Sequence, residues 1–179
     1  MTGKRTGFAD QAVELGRAFD RTFAQAPTLD AGASTGFLRV RVGGDAYAFA
    51  LDAIVGLFVD KAVVPLPRAG PQMLGIAGIR GAIVPVYSLR GLLGYEVERE
   101  CPRWLVLARS PAPVGLAFEQ FGGYLEARPS DLAPAPRTDS HILGTLRSES
   151  GPCAILGIPS ILEALDDGRR HAGDALKER

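Results

Sequence analysis

The segment LGIAGIRGAIVPVY, residues 74–87, decides the fold prediction for this chain. Two apolar runs flank the pair Arg80-Gly81, and glycine readily adopts the positive φ angles that a tight reversal needs. The pattern therefore predicts a β-hairpin with this pair at its turn. Arg80 is the single charged residue between positions 69 and 89, and Pro85 inside a strand predicts an edge or a bulge.

Alternation with a period of two recurs outward from this hairpin. Leu38, Val40 and Val42 alternate with arginines before a turn at Gly43-Gly44, and further short apolar runs follow between turn residues. The 22 glycines and 13 prolines among 179 residues place turns at short intervals. Eleven short strands with brief helical turns at Ser88–Leu93 and Ser160–Leu165 predict an all-β protein, built as barrels or a sandwich.

The chain divides into three zones. Residues 1–35 form an N-terminal helix and linker in this prediction, residues 36–166 the β domain, and residues 167–179 a polar, frayed tail. The helix carries an apolar stripe of Phe8, Leu15, Phe19 and Phe23 at helical spacing. This stripe has two interpretations, packing against the protein's own barrel or a neighbour, and contact with a partner protein.

Charge and composition exclude several classes of function. Twenty Lys and Arg balance twenty Asp and Glu, so the chain lacks the positive excess of nucleic-acid binders and polybasic membrane readers. Its two cysteines and two histidines form no metal-ligand cluster, and we expect no cofactor. The longest uncharged run has thirteen residues against the roughly 20 of a membrane span, so we expect a cytoplasmic protein without membrane insertion.

One motif imitates an active site. Residues 32–36 read GASTG, which matches the Gly-x-Ser-x-Gly pattern of a hydrolase nucleophile elbow, with His141 available as a base. The elbow requires a strand before the serine and a helix after it, whereas Ser34 follows a linker and precedes a predicted strand. A hydrolase using Ser34 is therefore a distant alternative, and no catalytic residue is predicted.

Arg80 is the strongest candidate for function. It is either a solvated hairpin tip or a guanidinium held on stiff strands for a partner that offers carboxylates or carbonyls, and the residues alone leave both interpretations open.

Over about residues 36–165 the sequence resembles the CheW-like adaptors of bacterial chemosensory arrays. The densest match runs from Pro65-Leu66-Pro67 through GIAGIRGAIVPVYSLR, residues 75–90, and follows the family pattern Gly-Val-x-Asn-Leu-Arg-Gly-x-Ile-Val-Pro-Val-x-Asp-Leu-Arg.

The resemblance implies a fold and a function. It implies two five-stranded SH3-like barrels on a shared core, and a non-enzymatic adaptor that binds the cytoplasmic tip of methyl-accepting chemoreceptors and the regulatory domain of a CheA-type histidine kinase. By similarity, the receptor groove comprises Ile54, Gly56, Gly75, Arg80 and Gly81.

Two departures from the family pattern leave an alternative open. The asparagine of Asn-Leu-Arg-Gly is Gly78 here, and the family's glutamate near the groove is Gly56. The alternative is a divergent member of a non-chemotactic motility or developmental complex that binds receptor or kinase without bridging both.

Overall fold

The computed structural model describes residues 34–67, 70–96, 102–135, 141–149 and 151–177. The predicted N-terminal helix, with Phe8, Leu15, Phe19 and Phe23, lies outside the described residues. In the described part the chain forms twelve strands in two six-stranded sheets, and each sheet makes one barrel. The all-β prediction with two barrels is confirmed. Each barrel has one strand more than predicted.

The first barrel is built from the two ends of the described chain. Its sheet order is β10-β11-β12-β2-β1-β9. The strands are β1 (Thr35–Val42), β2 (Asp45–Ala50), β9 (Gln120–Ala127), β10 (Leu132–Pro134), β11 (Ile142–Leu146) and β12 (Cys153–Leu156). All neighbours pair antiparallel except β12 and β2, which are parallel.

The second barrel is a continuous insertion between β2 and β9. Its sheet order is β3-β7-β8-β6-β5-β4. The strands are β3 (Ile54–Val59), β4 (Val63–Val64), β5 (Met73–Ile79), β6 (Ala82–Ser88), β7 (Trp104–Ala108) and β8 (Gly115–Phe118). A short helix, α1 (Leu89–Leu92), follows β6, and the Ser88 hydroxyl caps it by accepting from the Gly91 N–H at 3.2 Å.

Alternation within the strands sorts the apolar side chains into three cores. One fills the second barrel, one fills the first, and the largest lies between the two barrels. On β7, for example, Leu105 and Leu107 face the interior of the second barrel, whereas Val106 and Ala108 face the shared core. The shared core joins the barrels into one unit, which spans residues 34–179.

The C-terminal helix is longer than predicted. Helix α2 (Ile158–Lys177) begins before Ser160, whose hydroxyl donates to the Gly157 carbonyl at 2.9 Å, and it continues through the residues predicted as a frayed tail. Ile158 and Ile161 are buried in the shared core. Because this first turn is nucleated by packing, each further residue extends the helix at little cost.

Candidate protein-binding surface

Arg80 occupies the hairpin turn that the sequence predicted. Ile79 pairs with Ala82, and the two residues between them have φ angles of 51° for Arg80 and 80° for Gly81. A two-residue turn with both φ angles positive matches the twist of the flanking strands. Glycine adopts this conformation freely, but an arginine there costs roughly 1–2 kcal/mol. The sequence thus keeps an exposed arginine at a position that disfavours it.

The arginine reaches across to the edge strand β3. Its guanidinium carbon lies 5.6 Å from the ring centroid of Phe58, and the ammonium of Lys61 lies 5.7 Å from the same centroid. Each contact of this kind contributes about 0.5–1 kcal/mol when exposed. We call Arg80, Lys61 and Phe58 the cationic tip. Within the described residues neither cation forms an ion pair, so both positive charges are available to a partner.

Gly56 lies beside the cationic tip. A β-carbon built at Gly56 would be 3.4 Å from Nη2 of Arg80 and 3.5 Å from the ring of Phe58. A side chain at this position would therefore cover the guanidinium. Because Gly56 has no side chain, the backbone of β3 and the guanidinium of Arg80 are accessible from the same side.

The other predicted groove residues have different environments. Ile54 is 7% exposed and belongs to the shared core, and its carbonyl accepts from Nη2 of Arg109 at 3.2 Å. Gly75 is buried with φ 145°, and a β-carbon there would lie 2.1 Å from the Val64 carbonyl oxygen. Glycine at 75 therefore allows β4 to approach β5. The structure exposes Arg80 and Gly81, leaves Gly56 half-buried beside Arg80, and buries Ile54 and Gly75.

Sequence patterns did not predict a second group of surface residues, which is aromatic. The ring centroids of Trp104 and Phe121 are 5.3 Å apart, and those of Phe121 and Tyr124 are 5.4 Å apart in an edge-to-face arrangement. We call these three residues the aromatic seam, because Trp104 belongs to the second barrel and the other two to the first. Tyr124 is 62% exposed. Exposed aromatic side chains of this type are enriched in protein–protein interfaces.

A register shift explains why the seam was missed. Phe121 pairs with Val40, and Tyr124 pairs with Leu38. Tyr124 is three positions after Phe121 on β9, whereas Leu38 and Val40 are only two positions apart on β1. One extra residue in β9 therefore places two side chains of odd spacing on one face. The signal in the sequence was the glycine pair at 122–123, which marks such an irregularity.

The outer face of β4, β5 and β6 is a third exposed surface. Opposite residues of an antiparallel pair point to the same face, so Val64, Ile76 and Pro85 lie together, and Gly78 lies beside Ile83. Ile83 is 75% exposed and Val64 is 59% exposed. We call these five residues the apolar outer face. A contiguous exposed apolar patch is typical of an interaction surface.

The motif that imitates a hydrolase does not form an active site. Ser34 leads directly into β1, not into a helix, so the geometry of a nucleophile elbow is not met. His141 instead has its Nδ1 atom 3.3 Å from the Ser160 hydroxyl, at the start of α2. The distant hydrolase alternative is therefore not favoured. Among the described residues no group of three potential metal ligands occurs, and no helix is long and apolar enough to cross a membrane.

Comparison with known proteins assigns the family. The model of the CheW-like domain family matches residues 36–166. The chain belongs to the CheW-like domain family. The sequence resemblance noted above is thus confirmed.

Two curated relatives and one solved structure show the extent of the similarity. The chain is 23% identical over 104 residues to the chemotaxis protein CheW of Helicobacter pylori, covering 57% of this chain and 63% of that protein. It is 25% identical over 96 residues to the chemotaxis protein CheW of Thermotoga maritima, covering 53% and 64%. In both comparisons the match thus spans slightly less than two thirds of the relative's length. The crystal structure of the scaffolding protein TtCheW from Thermoanaerobacter tengcongensis shares the fold, with a TM-score of 0.63 at 13% identity over 70% of this chain and 90% of that one.

Proposed function

We propose that this protein is a non-enzymatic adaptor of a bacterial chemosensory array, which couples the cytoplasmic tip of a chemoreceptor to a CheA-type histidine kinase. Membership of the CheW-like family supports the adaptor role. The observation that carries the proposal is the exposed Arg80, held in a left-handed turn against Phe58 with no ion-pair partner in the described part of the chain.

The receptor surface in this proposal extends from the cationic tip to the aromatic seam. Phe58 contacts Arg80, and its neighbour Val59 pairs with Trp104. Because neighbouring residues of a strand point to opposite faces, the surface in this proposal passes over the edge of β3, the terminal strand of its sheet. A helix laid along this surface would meet apolar and aromatic contacts with one cationic end. The aromatic contacts would supply most of the affinity, and a carboxylate near Arg80 would fix the orientation.

The kinase surface in this proposal is the apolar outer face. Ile83 and Val64 are highly exposed on it. It covers the β5–β6 hairpin that presents Arg80 and the neighbouring strand β4. Stiff paired strands hold the two surfaces at a fixed distance and angle. A scaffold that joins two different proteins into a lattice needs this property.

Charge reversal at Arg80 tests the receptor surface. We expect Arg80→Glu to weaken binding of a receptor-tip fragment by about tenfold or more, because a desolvated charge contact is lost and a repulsion replaces it. The melting temperature should fall by a few degrees at most, because Arg80 is exposed and its contact with Phe58 is weak. Isothermal titration calorimetry against the receptor tip and the kinase regulatory domain, run in parallel, measures both affinities.

The matched control is Arg41→Glu, which makes the same charge change at an exposed position of β1 in the first barrel. We expect it to leave receptor affinity nearly unchanged. Equal losses in the two variants would show that net charge, not the cationic tip, controls binding. Binding of one partner and not the other would favour the divergent adaptor that does not bridge.

A further inference from the structure

The Glu119 carboxylate lies where the chain returns from the second barrel to the first, between β8 and β9. Its Oε2 atom accepts from the N–H of Gly43 at 2.9 Å, in the β1–β2 turn of the first barrel. Its Oε1 atom accepts from Nη1 of Arg90 at 2.7 Å, on helix α1 of the second barrel. One carboxylate thus bonds to both barrels at once.

The β1–β2 turn of the first barrel also contacts the segment that follows α1. Nε of Arg90 donates to the Glu96 carbonyl at 2.6 Å, which orders the segment after α1. This segment carries Tyr95, whose ring packs on Gly43 and whose hydroxyl lies 2.8 Å from that of Tyr47 on β2. We call Arg90, Tyr95 and Glu119 the clamp. It connects the second barrel to one turn of the first.

We propose that Glu119 is a positioning residue, which fixes the angle between the two barrels and thereby the spacing between the cationic tip and Tyr124. Those two parts of the surface lie on different barrels. The shared apolar core holds the barrels together, but apolar burial has no preferred direction. Hydrogen bonds are directional, and bonds to a charged group are about twice as strong as neutral ones.

The environment of Glu119 favours this role. The side chains of Glu119 and Arg90 are 24% and 23% exposed, so water screens their ion pair less than it screens a fully exposed pair. Glu119→Gln would remove the charge and point an amide NH₂ group at one of the two donors, the Gly43 N–H or Nη1 of Arg90. That donor would then lose its hydrogen bond to residue 119.

A distance measurement tests the inference without any partner. Spin labels at Ile83→Cys on β6 and Leu143→Cys on β11 report the separation of the barrels, because both residues are well exposed. The background is Cys101→Ser, and the buried Cys153 is retained. We expect Glu119→Gln to broaden the distance distribution about twofold, with the circular dichroism spectrum unchanged. An unchanged width would overturn the proposal.

Two further variants separate the clamp from simple loss of stability. Asp131→Asn removes a carboxylate that accepts from the Arg128 N–H at 2.9 Å within the first barrel, and it should leave the inter-barrel distance unchanged. Tyr95→Phe keeps the ring on Gly43 and loses the hydroxyl contacts, so it should broaden the distribution less than Glu119→Gln. Broadening by Asp131→Asn to the same degree would contradict a specific role for Glu119.

The functional consequence rests on the proposed function and is measured separately. We expect Glu119→Gln to weaken binding of the receptor-tip fragment about fivefold, because a variable angle misaligns the two parts of the surface. If the wild-type protein does not bind the fragment, the proposed receptor contact fails while the distance result still decides the clamp. If the distances broaden and affinity is unchanged, Glu119 sets the angle but the angle does not position the binding surface.

Discussion

The β1–β2 and β5–β6 turns have similar φ angles, but one is covered by a side chain and the other is exposed to solvent. Both are two-residue hairpin turns with positive φ angles, 61° and 91° at Gly43-Gly44 and 51° and 80° at Arg80-Gly81. The first is covered by the ring of Tyr95, and the second is exposed to solvent. Glycine is thus required at 43 by packing, whereas arginine is retained at 80 despite its backbone cost. A disfavoured residue at an exposed turn points to function in place of stability.

The largest expected effect is on the covered turn. We expect Gly43→Ala to lower the free energy of unfolding by about 3 kcal/mol, from a left-handed backbone penalty and an overpacked contact. The new β-carbon would lie 2.6 Å from a ring carbon of Tyr95. Chemical denaturation measures the loss. The control is Gly44→Ala, where nothing lies within 4 Å and about 1–2 kcal/mol from the backbone alone is expected.

Removing the Tyr95 hydroxyl is expected to have the next largest effect. The hydroxyl donates to Asp45 and bonds to Tyr47, so Tyr95→Phe should cost about 1–2 kcal/mol at neutral pH. Burial, with help from these two hydrogen bonds, raises the pKa of Tyr95 well above its usual value. The folded protein therefore keeps Tyr95 neutral after the unfolded chain ionises.

The pH dependence of this difference follows from the sign of the pKa shift. A raised pKa contributes stability that is complete below the unfolded value of about 10 and decreases as the pH rises above it. The stability difference between wild type and Tyr95→Phe should therefore become smaller above about pH 10. A difference that stays constant from about pH 8 to about pH 11 would contradict the raised pKa of Tyr95.

At the exposed turn the effect on stability should be much smaller. Asparagine tolerates the left-handed conformation, so Arg80→Asn relieves backbone strain while losing the contact with Phe58. We expect the free energy of unfolding to change by less than about 0.5 kcal/mol, and receptor-tip affinity to fall about tenfold. A stability loss above about 1 kcal/mol would show that Arg80 serves packing, as Gly43 does.

The smallest expected effect concerns Gly56. Gly56→Glu would place a carboxylate beside Arg80, and we expect it to weaken receptor-tip binding about threefold and to reduce its salt dependence. Gly56→Gln, with similar volume and no charge, should leave the salt dependence as in the wild type. Titrations between about 50 and 300 mM salt, over which the Debye length falls from roughly 14 to roughly 6 Å, separate the two variants. Identical behaviour of both would indicate a steric effect.

Local patterns predicted much of the fold. Alternation and turn residues predicted eleven strands and located both hairpin turns compared above. Four of those strands were predicted with the bounds that the structure has: Ile54–Val59, Trp104–Ala108, Ile142–Leu146 and Cys153–Leu156. Strand β10 was missed, because three residues ending in Pro134 show no alternation. The length of α2 was underestimated, because its C-terminal half is polar and carries no apolar stripe that marks a buried helix.

The candidate site was predicted in part. Arg80 was identified from its isolation among apolar residues, but its neighbours Phe58 and Lys61 were not. They lie about twenty positions earlier and meet it through the curvature of the second barrel. Ile54 was expected at the groove and lies in the shared core, since a register shift between Ile54 and Gly56 changes the direction of the side chains.

The insertion of the second barrel into the first has a consequence for folding. All strands of the second barrel lie between Ile54 and Phe118, so they can pair as soon as this stretch leaves the ribosome. Strands β1 and β2 are synthesised earlier, yet β1 waits for β9 and β2 waits for β12. The nascent β1–β2 hairpin therefore lacks its outer partners until β9 and β12 have been synthesised, and we expect closure of this long loop to follow the folding of the second barrel.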